Sequence, residues 1–454
     1  MIRINGMADQ KFRPNRRAVL AGLSAAGSGL MLPGRALADE PQRLAWRAAE
    51  ASFGWPNPAG RSLGWSSKFT PVWSLAGAEP APRAKPGLLD VAFQNDLPAS
   101  AALVWRGLDG VPSAEPLLGR AGLAPGGKEA LQLALRQAGT MFCDLSLLSD
   151  GKAQPSRGLP FIVSDTEPVP VDRDEVIMIE EWRVRPDGIA IAPGNDPRDT
   201  QAFHTINGSF GSDLLGAPIR ANTRLRLRLI NAGPRSIVAF KLEGLDVHVM
   251  AIDSRPAEPF LARNGAVMLA PGARVDAFVD VTGPAGTKFS MLLHDGRQAH
   301  LINQLVISNE APLRADPLPL APPLPTNGLP QRLDLKTALR VELAFGDGQA
   351  NWVIPTAFTA VSPPAFTAKA GRAVVLSLTN RAATTAVFHL HGHHFRLLDR
   401  LDDGWKPFWL DTIAIDAGQT QRIAFAAEHA GRWLVEAAET RWEAARFVRW
   451  YGVT

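Results

Sequence analysis

Short runs in which apolar and polar residues alternate recur along the whole chain. Arg224-Leu225-Arg226-Leu227-Arg228-Leu229 is the cleanest. A strand there turns its Leu side chains to a core and its Arg side chains outward. Such runs, broken by Gly and Pro turns, predict an all-β chain of sandwiches or Greek-key barrels.

Two landmarks recur three times. One is an alternating strand that ends at Asn, at Val91–Asn95, Leu227–Asn231 and Leu376–Asn380. The other is a turn glycine (Gly126, Gly272, Gly418), a strand, and then Ala-Gly leading into another strand (Gly139, Gly286, Gly431). The glycines lie 13, 14 and 13 residues apart. One order and one spacing at three places predict three homologous β domains, over 39–167, 168–310 and 331–454. The Pro-rich stretch 311–330 reads as a linker. The segment Gly404-Trp405-Lys406-Pro407-Phe408-Trp409 reads either as an exposed interaction loop or as a loop folded over the third domain.

Composition adds a compartment. The chain has 454 residues, 20% of them charged, and a formal charge of +4. Residues 1–38 hold six Arg or Lys against Asp9, a net +5, which leaves −1 for the rest. The basic excess belongs to this leader and gives no argument for a nucleic-acid partner. Arg16-Arg17, the uncharged stretch Ala18–Leu32 and Ala36-Leu37-Ala38 read as a twin-arginine signal with its cleavage site. A periplasmic protein beginning at Asp39 is expected, without a transmembrane segment. Cys143 is the only cysteine, so no disulfide forms within the chain.

His389-Leu390-His391-Gly392-His393-His394-Phe395 is the densest chemical motif. Period-two spacing on a strand would put His389, His391 and His393 on one face, which suits a metal. With Asn95-Asp96-Leu97-Pro98, Asp109-Gly110-Val111-Pro112, Asp411-Thr412 and Gly431-Arg432-Trp433-Leu434 it makes the chain resemble the laccase-like multicopper oxidases. That resemblance implies three cupredoxin-like (plastocyanin-like) domains. It also implies a mononuclear copper held by two His and one Cys, and a trinuclear cluster held by four His-x-His pairs. Only nine His are present, fewer than such a set requires.

Carried over by position, the first pair falls on Val104 and Arg106 and the second on Asp144 and Ser146. The third survives as His389 and His391. The fourth falls on Glu436 and Ala438, flanking Ala437 where the Cys belongs. The mononuclear His positions fall on Ala386 and Trp442, and the axial position on Phe447. Cys143 reads as a buried structural residue. The pattern resembles a copper-free, twin-arginine-exported relative that acts at the bacterial division septum. It implies a non-catalytic binding or scaffold protein with no catalytic residues, no cofactor and an unknown protein or envelope partner. The alternatives are a copper-dependent oxidoreductase with an incomplete or altered centre, and a protein holding copper or another single divalent metal on His389, His391 and His393. Arg106, Asp144 and Glu436 would fill the emptied site as a salt-bridge network, or a carboxylate would join the two His around one ion.

Overall fold

A computed structural model describes residues 42–54, 69–209, 215–325, 328–346, 348–399 and 404–454. Residues 1–38, read above as a signal with its cleavage site, lie outside the described residues. Asn95, Asn231 and Asn380 end the strands Gly87–Asn95, Thr223–Asn231 and Ala373–Asn380. Each buried amide makes the same three bonds. Its Nδ2 donates to Ala99 and Leu123 carbonyls (2.9 and 2.7 Å), to Ser236 and Leu269 (both 2.9 Å), or to Thr384 and Ile415 (both 2.8 Å). Its Oδ1 accepts the N–H of the residue two positions on, Leu97, Gly233 or Ala382. Each Asn carbonyl also accepts the N–H of the turn glycine, Gly126, Gly272 or Gly418. Those glycines have φ of +75°, +85° and +71°, which residues with a Cβ rarely adopt. The two sequence landmarks are therefore halves of one corner, built three times.

From each corner the chain builds a two-sheet sandwich. In each, a preceding strand runs parallel to the Asn strand: Gln42–Gly54, Arg173–Val184 and Leu339–Phe345. The sheets have five and four, seven and four, and four and five strands. Three separate apolar cores fill them. Trp46, Phe93, Trp105 and Phe161 belong to the first. Leu225, Leu227, Leu229 and Phe240 belong to the second, and Phe345, Phe388, Trp433 and Tyr451 to the third. Cys143 is buried in the first core, where burial and neighbouring Asp144 push its thiol well above the usual range. Among the described residues no helix is long and apolar enough to cross a membrane.

One expectation needs correction. Arg224, Arg226 and Arg228 do alternate with core Leu residues, but they are buried rather than solvated. Their face of the sheet is covered by other parts of the chain. Arg226 pairs with Asp276 and Asp165, and Arg228 with Asp174 and Asp276. Arg224 pairs with Asp280 and donates to the Leu318 and Pro319 carbonyls. Residues 311–324 thus lie against the second sandwich. Its Leu324 is buried against Met250 and Phe278. The 404–409 segment folds inward: Trp409 is buried, and Arg396 covers the Trp409 and Trp405 rings at 4.6 and 5.5 Å.

Replacing Asn231 with Ala removes three bonds from a buried corner and should cost about 2–4 kcal/mol. The loss would be read as a lower urea midpoint. An unchanged midpoint would show that the corner does not hold the second sandwich together.

Candidate functional site

The strand Ala386–Leu390 is buried along its length between Thr412–Ile415 and Gly431–Glu439. It delivers His389 to the boundary between the first and third sandwiches, and His391 follows just beyond its end. Alternation stops there. Gly392 has φ +73°, and a Cβ on it would stand 2.2 Å from the Trp433 ring. Only glycine fits this bend, which turns the chain so that His393 leaves the face shared by His389 and His391. His393 enters the third core instead. Its Nδ1 meets the Tyr451 hydroxyl at 2.7 Å, and its Nε2 accepts the His429 N–H at 3.2 Å. Burial lowers its pKa to about 3 despite nearby Asp109. His393 is a neutral core residue with both nitrogens occupied.

His391 is different. Its Nδ1 lies 3.0 Å from Glu115 and its Nε2 lies 2.7 Å from Glu436, so a carboxylate sits on each nitrogen. Burial opposes charging the ring, yet the two carboxylates outweigh it and raise the pKa to about 9. The ring is an imidazolium, donating from both nitrogens. Glu436 is buried too, but Arg106, Arg446 and His391 hold its carboxyl well below the usual range. Arg446 contacts it most closely, whereas Arg106 stands 3.6 Å away and lies nearer Asp144, at 3.3 Å. Three cations and three anions face one another here: His391, Arg106 and Arg446 against Glu115, Asp144 and Glu436. The network anticipated around Arg106 exists, and Arg446 and His391 stand closer to Glu436 than Arg106 does.

His389 is the neutral partner. Its Nδ1 lies 3.0 Å from the Thr412 hydroxyl, which itself donates to Asp411. The ring therefore carries its proton on Nδ1 and keeps a lone pair on Nε2. Burial and the Arg106 cation keep its pKa well below 6.5. Asp411 is paired with Arg274 of the second sandwich at 2.7 Å. Arg274 sits near Asp253, whose pKa rises to about 6 because it is buried beside Asp411. His394 reaches Asp109 of the first sandwich at 2.8 Å and the Asp253 carbonyl at 2.6 Å. All three sandwiches thus meet around charged, hydrogen-bonded side chains.

Val104 packs with Leu118, Leu147, Leu434 and Val448, an apolar contact between the first and third sandwiches. The Ser146 N–H caps Asp144 at 2.7 Å. Ala386 and Ala437 are in the third core, with Phe447 packed against it. Phe447 is the partner of Ala437 across strands Gly431–Glu439 and Arg446–Val453. Trp442 donates to the Ala192 carbonyl of the second sandwich. Ala438 lines a cavity of about 60 Å3 beside Arg106, His389 and Glu436. His389, His391 and Glu436 each bring one potential ligand atom within 4.8 Å of the others.

Comparison with known proteins agrees with this architecture. Two family models, both described as multicopper oxidase, match residues 174–312 and 332–452. The chain is 23% identical to the multicopper oxidase MmcO of Mycobacterium tuberculosis over 440 residues, covering 84% of this chain and 82% of that one. It is 32% identical to rice Laccase-7 over 133 residues, but spans only 23% of that relative's length. Among solved structures, Lac15 from a marine microbial metagenome superposes with a TM-score of 0.72 at 25% identity, covering 91% of this chain and all of that one. A multi-copper oxidase from Pseudomonas thermotolerans gives 0.74 at 23% identity, again over 91% of this chain and all of that one. The fold is that of cupredoxin-like β-sandwiches, and the chain belongs to the multicopper oxidase family.

Glu115 and Arg446 were not anticipated from sequence. Glu115 follows a single turn, Pro112–Ala114, and lies far along the chain from its partner His391. Arg446 opens an ordinary strand. A signal for Arg446 existed in hindsight: a strand residue ten positions after Glu436 returns beside it across a hairpin.

Two tests follow. Arg446→Met leaves Glu436 short of its closest cation and should cost about 3–5 kcal/mol, the usual loss for a broken buried pair. Arg106→Met should cost less, because Glu436 keeps Arg446 and His391. Equal losses in thermal unfolding would contradict this ranking. The pH dependence has a definite sign. The folded pKa of His391 lies above its ordinary 6.5, so its contribution is full below about pH 6.5 and is lost as pH rises through 9. The loss is on the order of 3 kcal/mol. Urea unfolding between pH 6 and pH 10 should show this decline in the parent protein and a flatter profile in His391→Gln.

Proposed function

We propose that this chain is a non-catalytic member of its family, a binding or scaffold protein delivered to the periplasm by the twin-arginine pathway, with no copper at the junction of its first and third sandwiches. The observation that carries this reading is the pair of carboxylates that flank His391. A metal binds imidazole through an unprotonated nitrogen, and both nitrogens of His391 donate to carboxylates. His389 Nε2 is the one imidazole lone pair left among the carried-over positions. Arg106 and Arg446 add positive charge where a dication would stand. Ala437 offers no thiolate for a blue-copper site, which needs two His and a Cys. These residues do not fit a mononuclear or trinuclear copper centre, and no step of dioxygen reduction is derived through one.

The 4.8 Å convergence of His389, His391 and Glu436 favours a second reading, a single divalent ion in this junction. It requires His391 to give up a proton that two carboxylates hold. The family name and MmcO favour a third, copper-dependent oxidation.

One preparation separates the three. Protein recovered from the periplasm should begin at Asp39. After incubation with copper and desalting, it should lack the blue thiolate absorption and consume oxygen with a phenol only at background rate. Four coppers per chain, with turnover lost in His389→Ala, would overturn the proposal. One retained copper lost in His389→Ala would establish the single-ion reading instead.

A further inference from the structure

A second group of metal-ligand side chains lies on the second sandwich, away from the junction. His204 is on the strand Gln201–Ile206, paired beside Arg173–Val184 in the seven-stranded sheet. His300 is on Ala299–Val306 of the four-stranded sheet. Asp295 is in the turn that leads into that strand. Side chains from both sheets therefore converge, and one potential ligand atom from each lies within 4.8 Å of the others.

The arrangement is prepared in two ways. Asp295 Oδ1 accepts the N–H groups of Arg297 and Gln298 at 2.8 and 2.9 Å, which fixes the carboxylate. Its Oδ2 is left to face His300 Nε2 at 2.9 Å. Outer hydrogen bonds of this kind orient metal ligands before an ion arrives. Secondly, His204 Nε2 is buried and has no hydrogen-bond partner among the described residues. Buried polar atoms are nearly always satisfied, so an orphan calls for a missing partner. Burial also lowers the pKa of His204, which keeps the ring neutral and its lone pair available. The cluster opens onto a cavity of about 520 Å3. Arg183 lines that cavity, but buried Glu181 lies 3.9 Å from it and offsets its charge.

We propose that His204, Asp295 and His300 bind one divalent transition metal of the zinc class, with an open position facing the cavity. Two imidazoles and a carboxylate are a ligand set that zinc uses with water in the fourth place.

Calorimetric titration of untagged, chelator-treated protein with zinc sulfate tests this. One zinc per chain is expected, together with a rise in melting temperature. His204→Ala, His300→Ala and Asp295→Asn should each weaken binding by at least the roughly 10–100-fold that losing an outer partner costs. They should also remove the zinc-induced rise while melting normally without metal, and His248→Gln, at the start of the strand His248–Ile252 and outside the cluster, should behave as the parent. Absence of binding, or binding unchanged in all three variants, would overturn the proposal. Zinc lost only in His389→Ala would do so as well, by placing the ion at the junction.

Discussion

A charge can be buried only if its partners are buried with it, and that constraint organises the centre of this protein. His391 carries a positive charge because Glu115 grips one side of its ring and Glu436 the other. Glu436 can remain ionised because Arg446, Arg106 and His391 surround it. Arg106 in turn is matched by Asp144. Removing any one member exposes another to the cost of burial without a partner. The members come from distant parts of the chain, so the network joins the first sandwich to the third.

The same logic extends to the second sandwich. Arg274 and Arg255 leave it to meet Asp411 of the third and Asp109 of the first. Arg228 reaches the Thr140 hydroxyl of the first sandwich at 2.8 Å. Three apolar cores give each sandwich its own stability, while ion pairs fix how the sandwiches meet. Directional, matched charges specify an orientation more tightly than apolar contact does.

Much of the fold was legible in the sequence because its determinants are local and repeated. An Asn that closes a corner through three bonds, and a glycine with positive φ beside it, leave the same mark in all three sandwiches. The placement of His389 and His391 was legible for a similar reason, since strand alternation holds through Leu390. His393 was misplaced because alternation says nothing of a left-handed glycine that intervenes. The outward reading of Arg224, Arg226 and Arg228 failed because burial there comes from distant segments, namely Asp165 and residues 318–319. Glu115 was invisible for the same reason.

The charge balance of the junction rests on the proton that His391 holds. Nitrogen NMR of ring-labelled histidine reports directly whether one or both nitrogens of a ring are protonated. For His391, assigned by comparison with His391→Gln, it should show two protonated nitrogens at neutral pH. Loss of one proton should come near pH 9, and the signals should not change when copper is added. A neutral His391 ring at pH 7, with one bare nitrogen whose signal broadens on addition of copper, would contradict the account and return the junction to metal chemistry.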